Sequence, residues 1–114
     1  MILDPYISSL DLEAVAFKVC IDEGWSLDQV DQAEAEYRKF LQLIRRNSDD
    51  TLAPSRMVDR FWHHHILDTK KYIDDCQSLF GEYIHHYPYS GLLDKNDKAQ
   101  QEKRLERTKL LSHQ

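Results

Sequence analysis

Histidine side chains that can bind a metal or carry a proton are concentrated in one short stretch of the sequence. Five of the chain's six histidines lie within residues 62–88, WHHHILDTKKYIDDCQSLFGEYIHHYP, together with one of its two cysteines. Imidazole and thiolate groups are ligands of transition metals, and imidazole also exchanges protons near neutral pH. The stretch therefore indicates either a metal or cofactor site, or a helix in which the imidazoles have a structural role.

The spacing of apolar residues places the first part of this stretch on a helix that begins near Pro54 and Ser55. One line of its apolar stripe is formed by Val58, Trp62, His65, Thr69, Tyr72 and Cys76. His65 is therefore predicted to point into the core, where both of its ring nitrogens need hydrogen-bond partners. Thr69 is the expected partner of one of them. His64 lies on another side of the helix and is expected in solvent.

Asp59 precedes His63 by one helical turn. This spacing suits two ligands of one metal, a carboxylate that orients an imidazole, or a surface hydrogen bond. Two further histidines follow about twenty residues after His65, and a chain that turns back between them would bring the two groups together. The side chains predicted to form a metal site on this basis are His63, His65, His85, His86, Asp59 and Asp68.

These ligand types predict a divalent transition metal, zinc or iron, because a mixed imidazole and carboxylate set does not suit calcium or magnesium. A haem with His65 and one of the two later histidines as axial ligands is a further alternative. The remaining alternative is an interaction module without chemistry, in which a histidine network fixes the bundle. The HYPY segment or the last helix would then bind a protein partner. Serine-hydrolase and phosphate-loop motifs are absent from the sequence, so no substrate or catalytic residue is assigned.

Composition and charge favour a single soluble helical domain. The 114 residues are 41% hydrophobic and 31% charged, and only three are glycine and three proline. Residues 1–93 carry 16 acidic and 9 basic side chains, so the main body is acidic and is not expected to bind nucleic acid. The sequence has neither an apolar run of membrane-spanning length nor the features of a signal peptide. We therefore expect a cytoplasmic protein with reduced thiols; its oligomeric state is not determined by the sequence.

Helical periodicity predicts an all-α fold, a single compact bundle of three to four helices. The first helix is expected to stop at Gly24. The second follows at SLDQ, residues 26–29, where Ser26 and Gln29 fit a capping box. The residues expected on the buried face of this second helix are Val30, Ala33, Tyr37, Phe40, Leu41 and Ile44.

The third helix carries the histidines and, unbroken, would extend for about 45 Å, too long for a domain of this size. A break is therefore expected near Leu67–Thr69 or at Gly81. A YPYSG turn then leads to a last, polar helix. We predict a helical domain over residues 1–92, with the histidine-rich motif at 54–91, and a polar C-terminal helix or tail over residues 93–114.

The segment from Pro54 to Gly91, PSRMVDRFWHHHILDTKKYIDDCQSLFGEYIHHYPYSG, resembles the glycine-rich domain-containing protein-like family, in particular its short bacterial members. GWSL at 24–27 and EAEYRKFL at 34–41 are also similar to segments of that family. The resemblance covers roughly residues 1–92. It implies membership of the family rather than a particular reaction, and the glycine-rich region of the larger members is absent from this chain.

The resemblance also gives weight to the polar residues of the motif. A motif that specifies four histidines and several carboxylates asks for more than core packing, which favours a metal or cofactor site. The motif residues expected to support the ligands of such a site are Trp62, Thr69, Tyr72, Asp75, Cys76 and Tyr89.

Overall fold

The structure is a computed structural model that describes residues 1–47, 52–86, 92 and 94–112. Within these residues it contains six α-helices and no β-strand. In chain order they are α1 (Pro5–Ser8), α2 (Glu13–Glu23), α3 (Leu27–Arg46), α4 (Arg56–Leu67), α5 (Thr69–Phe80) and α6 (Lys95–Ser112). The all-α prediction is confirmed, whereas the predicted number of three to four helices is wrong.

Two local features of the sequence account for the additional helices. The Asp4 side chain accepts a hydrogen bond from the Tyr6 N–H and Pro5 occupies the first turn, which together start the four-residue helix α1. The long third helix breaks at Asp68, whose ψ of 73° is outside the helical range, and this break separates α4 from α5. Gly81 then ends α5 with a φ of 72°, a conformation that costs glycine little. Both places expected for a break are therefore used.

The signals that delimit the earlier helices act as predicted. Gly24 ends α2 in the left-handed conformation. The Ser26 hydroxyl accepts a hydrogen bond from the Gln29 N–H, and the Gln29 side chain accepts one from the Ser26 N–H. This reciprocal pair is the predicted capping box, and it fixes the start of α3.

Helix α3 lies at the centre of the molecule and contacts α1, α2, α4 and α6. The apolar face predicted for it is buried except at Ile44, which is partly buried, and Tyr37 and Phe40 are almost inaccessible to solvent. The Tyr37 ring lies 5.1 Å from that of Phe61, and the Phe40 ring lies 5.3 Å from that of Trp62. Burial of each such side chain stabilises the fold by about 1.5–3 kcal/mol. These aromatic contacts therefore fix α4, and the histidines it carries, against α3.

Helix α6 is the polar helix predicted from the sequence. It packs on α3 and buries Leu111, and its Thr108 hydroxyl accepts a hydrogen bond from the Ala53 N–H at 3.1 Å. The predicted YPYSG turn at residues 87–91 lies outside the described residues, and the predicted domain boundary adjoins residue 93, which is also outside them. None of the described helices has the length and apolar character required to cross a bilayer.

Candidate functional site

His65 lies at the centre of a polar network enclosed by α3, α4 and α5. Only 1% of this residue is exposed, which confirms the prediction that it points inward. Its Nδ1 atom is 2.6 Å from the Tyr37 hydroxyl and its Nε2 atom is 2.7 Å from the Asp75 carboxylate. Thr69, predicted as a partner of His65, is exposed instead, because the break at Asp68 takes it out of the register of α4. Both ring nitrogens of His65 are therefore used within the protein.

The direction of each hydrogen bond in this network follows from the carboxylate. Asp75 also binds the Lys71 ammonium at 3.0 Å, and a carboxylate can only accept. The Nε2–H of His65 therefore donates to Asp75, which leaves Nδ1 to accept from the Tyr37 O–H. Burial lowers the pKa of His65, outweighing the opposite effect of Asp75, and burial also raises the pKa of Tyr37. Both groups are therefore neutral at physiological pH.

A second chain of hydrogen bonds ties α4 and α5 to the segment that follows α5. The Trp62 Nε1–H donates to the Tyr72 hydroxyl at 2.9 Å, and that hydroxyl donates to the Ile84 carbonyl at 2.6 Å. The Tyr72 ring also meets the His65 ring edge to face, with 4.9 Å between centroids. Burial raises the pKa of Tyr72, so its hydroxyl stays protonated and able to donate. Residues 82–86 are thereby attached to the core.

Residues 82–86 place the His86 side chain against α4. Its Nε2 atom lies 2.5 Å from the Asp59 carboxylate, and its ring stacks on the Trp62 ring with centroids 4.3 Å apart. Asp59 is thus paired with a histidine 27 residues away and not with His63, one turn along its own helix. The turns at Asp68 and Gly81 bring the two groups of histidines into one region of the fold.

The six predicted metal ligands are nevertheless not assembled as one set. His63, Asp68 and His85 are exposed, whereas His65 is buried in the network. Within residues 1–47, 52–86, 92 and 94–112, no group of three or more His, Cys, Asp or Glu side chains is arranged to hold a metal ion. The predicted metal site therefore remains a prediction.

Of the residues expected to support the site, Trp62, Tyr72 and Asp75 belong to the network. Cys76 is buried beside it, and burial raises the pKa of its thiol, so it is a small apolar neighbour rather than a thiolate. Tyr89 lies outside the described residues.

His64 was expected in solvent, and this expectation is wrong. The residue is 6% exposed because α2 packs over this side of α4, and its Nε2 atom lies 2.9 Å from the Glu23 carboxylate. Arg60 donates two hydrogen bonds to the same carboxylate, at 3.0 and 3.2 Å. Hydrogen bonds from Arg60 and then His64 lower the pKa of Glu23 to about 2. The spacing of Arg60 and His64, four residues apart on one helical face, is the sequence signal that could have indicated a shared acidic partner.

Comparison with known proteins identifies the family of this chain. The UCP032817-like family model matches residues 12–112. The chain belongs to the UCP032817-like family. Glycine-rich domain-containing protein 1 of Arabidopsis thaliana is 37% identical to this chain over 59 residues, a match that covers 48% of the chain and 7% of that relative. The resemblance inferred from the histidine-rich segment is thereby confirmed. No solved structure matches the chain.

The clefts of this UCP032817-like domain include one that is lined by Ile84, whose carbonyl accepts the hydrogen bond of Tyr72. Three of them have volumes of about 400, 430 and 510 Å³, and they are bordered by α3 and α6, by the N-terminal residues, and by the end of α5. None of these three is lined by His65, Trp62, Tyr72 or His86. The hydrogen bonds of these four side chains chiefly hold elements of the chain together.

Proposed function

We propose that this UCP032817-like domain is a protein-interaction module, whose histidine and tyrosine network holds residues 82–86 in a fixed shape for a partner. The observation that carries the proposal is the anchoring of this irregular segment at two points. Tyr72 binds the Ile84 carbonyl, and His86 is both bonded to Asp59 and stacked on Trp62. Between and beside these anchors, Tyr83 is 41% exposed and His85 faces solvent.

Anchoring has a thermodynamic consequence for binding. Fixing the backbone of one residue costs about 1–2 kcal/mol, and a partner that had to order this segment would lose that free energy from its affinity. In this domain, contacts made on folding already order the backbone of residues 82–86, so a partner does not lose affinity by ordering it. The exposed Tyr83 ring is also held in place, since it meets the Tyr72 ring edge to face and the His85 ring in turn. Rigid tyrosine side chains on a loop supported by helices suit a protein interface.

Site-specific photo-crosslinking in cells tests this proposal. A photoreactive phenylalanine analogue is introduced at Tyr83 in one variant and at His85 in another. The matched control carries it at Phe17, which is 69% exposed on α2. We expect the first two variants to capture the same protein and the control not to capture it. Absence of a crosslinked species from both positions, or the same species from Phe17, would refute an interface at this segment.

The paired Asp59 and His86 side chains support a second candidate, binding of a zinc or iron ion. A carboxylate bonded to one nitrogen of an imidazole commonly orients the other nitrogen towards a metal. Both side chains are partly accessible, at 39% for Asp59 and 19% for His86. His65 is a weaker candidate ligand than the sequence predicts. To bind a metal or a haem iron, it would have to lose its hydrogen bond to Tyr37 or to Asp75.

Elemental analysis of protein purified without an affinity tag tests the second candidate. If His86 is a ligand, the wild-type protein is expected to contain close to one zinc or iron ion per chain, and His86→Ala to contain almost none. His85→Ala, one residue away and exposed, is the control and should retain the metal. Metal-free wild-type protein, or equal metal content in the two variants, would rule out this candidate and leave the interaction module.

A further inference from the structure

One buried atom outside the network has no hydrogen-bond partner. The His64 side chain is 4% exposed, and among the described residues its Nδ1 is the buried side-chain nitrogen or oxygen without a partner. A polar atom left in this state costs about 1–3 kcal/mol. An ion or an ordered water is a common reason for such an atom in a native protein.

The other side of the ring determines what Nδ1 can do. Arg60 donates two hydrogen bonds to Glu23, so the Glu23 group is a carboxylate that accepts, and it accepts from the Nε2–H of His64. In the neutral ring, the proton is therefore on Nε2 and a lone pair is on Nδ1. A carboxylate on one ring nitrogen and an open lone pair on the other is the arrangement that orients most metal-binding histidines.

A second donor faces this lone pair. The Asp22 carboxylate, 36% exposed, lies 3.8 Å from His64 Nδ1. That distance is too long for a hydrogen bond, which ends near about 3.2 Å. At a tetrahedral ion with bonds of about 2.1 Å, two donors lie about 3.4 Å apart, so the Asp22 carboxylate needs to approach Nδ1 by only a few tenths of an ångström to share an ion with it. The present partner of this carboxylate is the exposed Lys18, at 3.0 Å, which an ion would replace.

A third donor lies beside the first. The His63 ring meets the His64 ring nearly at right angles, with 5.7 Å between centroids, and His63 is exposed. Its side chain can therefore rotate about χ1 and χ2 without disturbing the core. The donor set contains two imidazoles and one carboxylate, which suits zinc and similar transition metals rather than calcium or magnesium.

We propose that Asp22, His63 and His64 bind a single divalent transition metal between α2 and α4, with water completing its coordination. The three side chains do not converge in the present structure, so binding includes rotation of His63 and a small movement of Asp22 towards His64. This site is separate from the Asp59 and His86 pair. An ion held there joins α2 to α4 and is expected to raise the melting temperature of the domain.

Titration with zinc chloride, followed by calorimetry, tests the proposal. The wild-type protein should bind one ion per chain. His64→Gln keeps an amide N–H to donate to Glu23 but removes the Nδ1 ligand, and Asp22→Asn weakens the facing donor at the surface. We expect each to weaken zinc binding at least about tenfold, as the loss of groups that hold a metal usually does. Asp74→Asn, which changes an exposed carboxylate on α5, is the control and should bind zinc as the wild type does. His86→Gln is measured alongside to distinguish this site from the Asp59 and His86 pair.

Three results would overturn the site. The first is the absence of saturable binding at millimolar zinc. The second is an unchanged affinity in both His64→Gln and Asp22→Asn, the latter of which alters only a surface side chain and gives an independent answer if the former does not fold. The third is a loss of binding in His86→Gln alone, which would assign the ion to the Asp59 and His86 pair instead.

Discussion

At the scale of single residues, His64 and His65 show that burial alone does not determine the role of a histidine. The two are neighbours on α4 and both are almost inaccessible to solvent. His65 has a partner on each ring nitrogen, Tyr37 and Asp75, and is neutral by virtue of its burial. His64 has a partner on Nε2 only. The first residue can therefore serve to hold helices together, while the second has one ring nitrogen without a hydrogen-bond partner among the described residues.

Removal of the Tyr37 hydroxyl should reveal the energetic contribution of the buried network. In Tyr37→Phe the ring still packs, but Nδ1 of His65 is left as a buried acceptor without a donor. We expect a loss of about 1–3 kcal/mol in the free energy of unfolding, measured by urea denaturation. The control is Tyr6→Phe, because Tyr6 is 66% exposed and should change stability by less than about 0.5 kcal/mol. Equal effects of the two substitutions would contradict the role assigned to Tyr37.

At the scale of elements, α4 is held on three sides by different means. Aromatic packing joins it to α3, the His65 and Trp62 hydrogen bonds join it to α5, and the Glu23 carboxylate joins it to α2. The Glu23 contact depends on charge, since its pKa falls from 4.5 to about 2 beside Arg60 and His64. The packing of α2 on α4 is therefore expected to depend on pH in the acid range.

Comparison of wild type with Glu23→Gln across pH tests this dependence. A depressed pKa means that the folded state favours the ionised carboxylate, so its stabilising effect is complete above about pH 4.5 and is lost as the pH falls towards 2. At pH 7 we expect the wild type to be more stable by about 1 kcal/mol. The value is modest because the Arg60 side chain is 40% exposed and solvent screens the pair.

Thermal unfolding followed by circular dichroism gives the measurement. The difference in stability between wild type and Glu23→Gln should shrink steadily below pH 4.5. Glu102→Gln, on the exposed side of α6, is the control and should follow the wild type at every pH. A difference that is constant from pH 7 to pH 2 would show that Glu23 does not act through its charge.

At the scale of the whole molecule, the fold places α3 in the centre and turns the chain back twice after α4. The turns at Asp68 and Gly81 return residues 82–86 to the helix that carries the first histidines. This return gives the proposed interaction surface its rigidity. The polar side chains of this region fall into three sets. One is the buried network around His65, and another is the partly accessible Asp59 and His86 pair. The last consists of Asp22, His63 and His64, between α2 and α4.

Much of this fold is readable from the sequence because helix formation depends on local signals. The capping box at Ser26, the glycine stops and the buried stripe through Tyr37 follow from spacing and residue type. The length of an unbroken third helix likewise predicts a break near Leu67–Thr69 or at Gly81, and the structure has both. The short helix α1 is not predicted, since four residues give too little periodicity to detect.

The sequence predicts the contacts of the candidate site only in part. The register of α4 placed His65 correctly in the core, because one helical stripe is fixed by the sequence. It misplaced His64, because burial on the opposite side depends on whether another helix packs there, and α2 does. It also paired Asp59 with its neighbour His63, the local choice, when the fold provides His86.

Residue type and spacing alone were enough to predict the helical class, the buried stripe of α3, the stop at Gly24, the start of α3 at Ser26 and the resemblance to the family. Which polar atoms meet is visible only in the folded domain, as for Tyr37 with His65, 28 residues apart, and Glu23 with His64, 41 residues apart. The reason is physical: helix propensity and periodicity act over a few residues, whereas the contacts of a polar atom depend on how whole helices pack against one another.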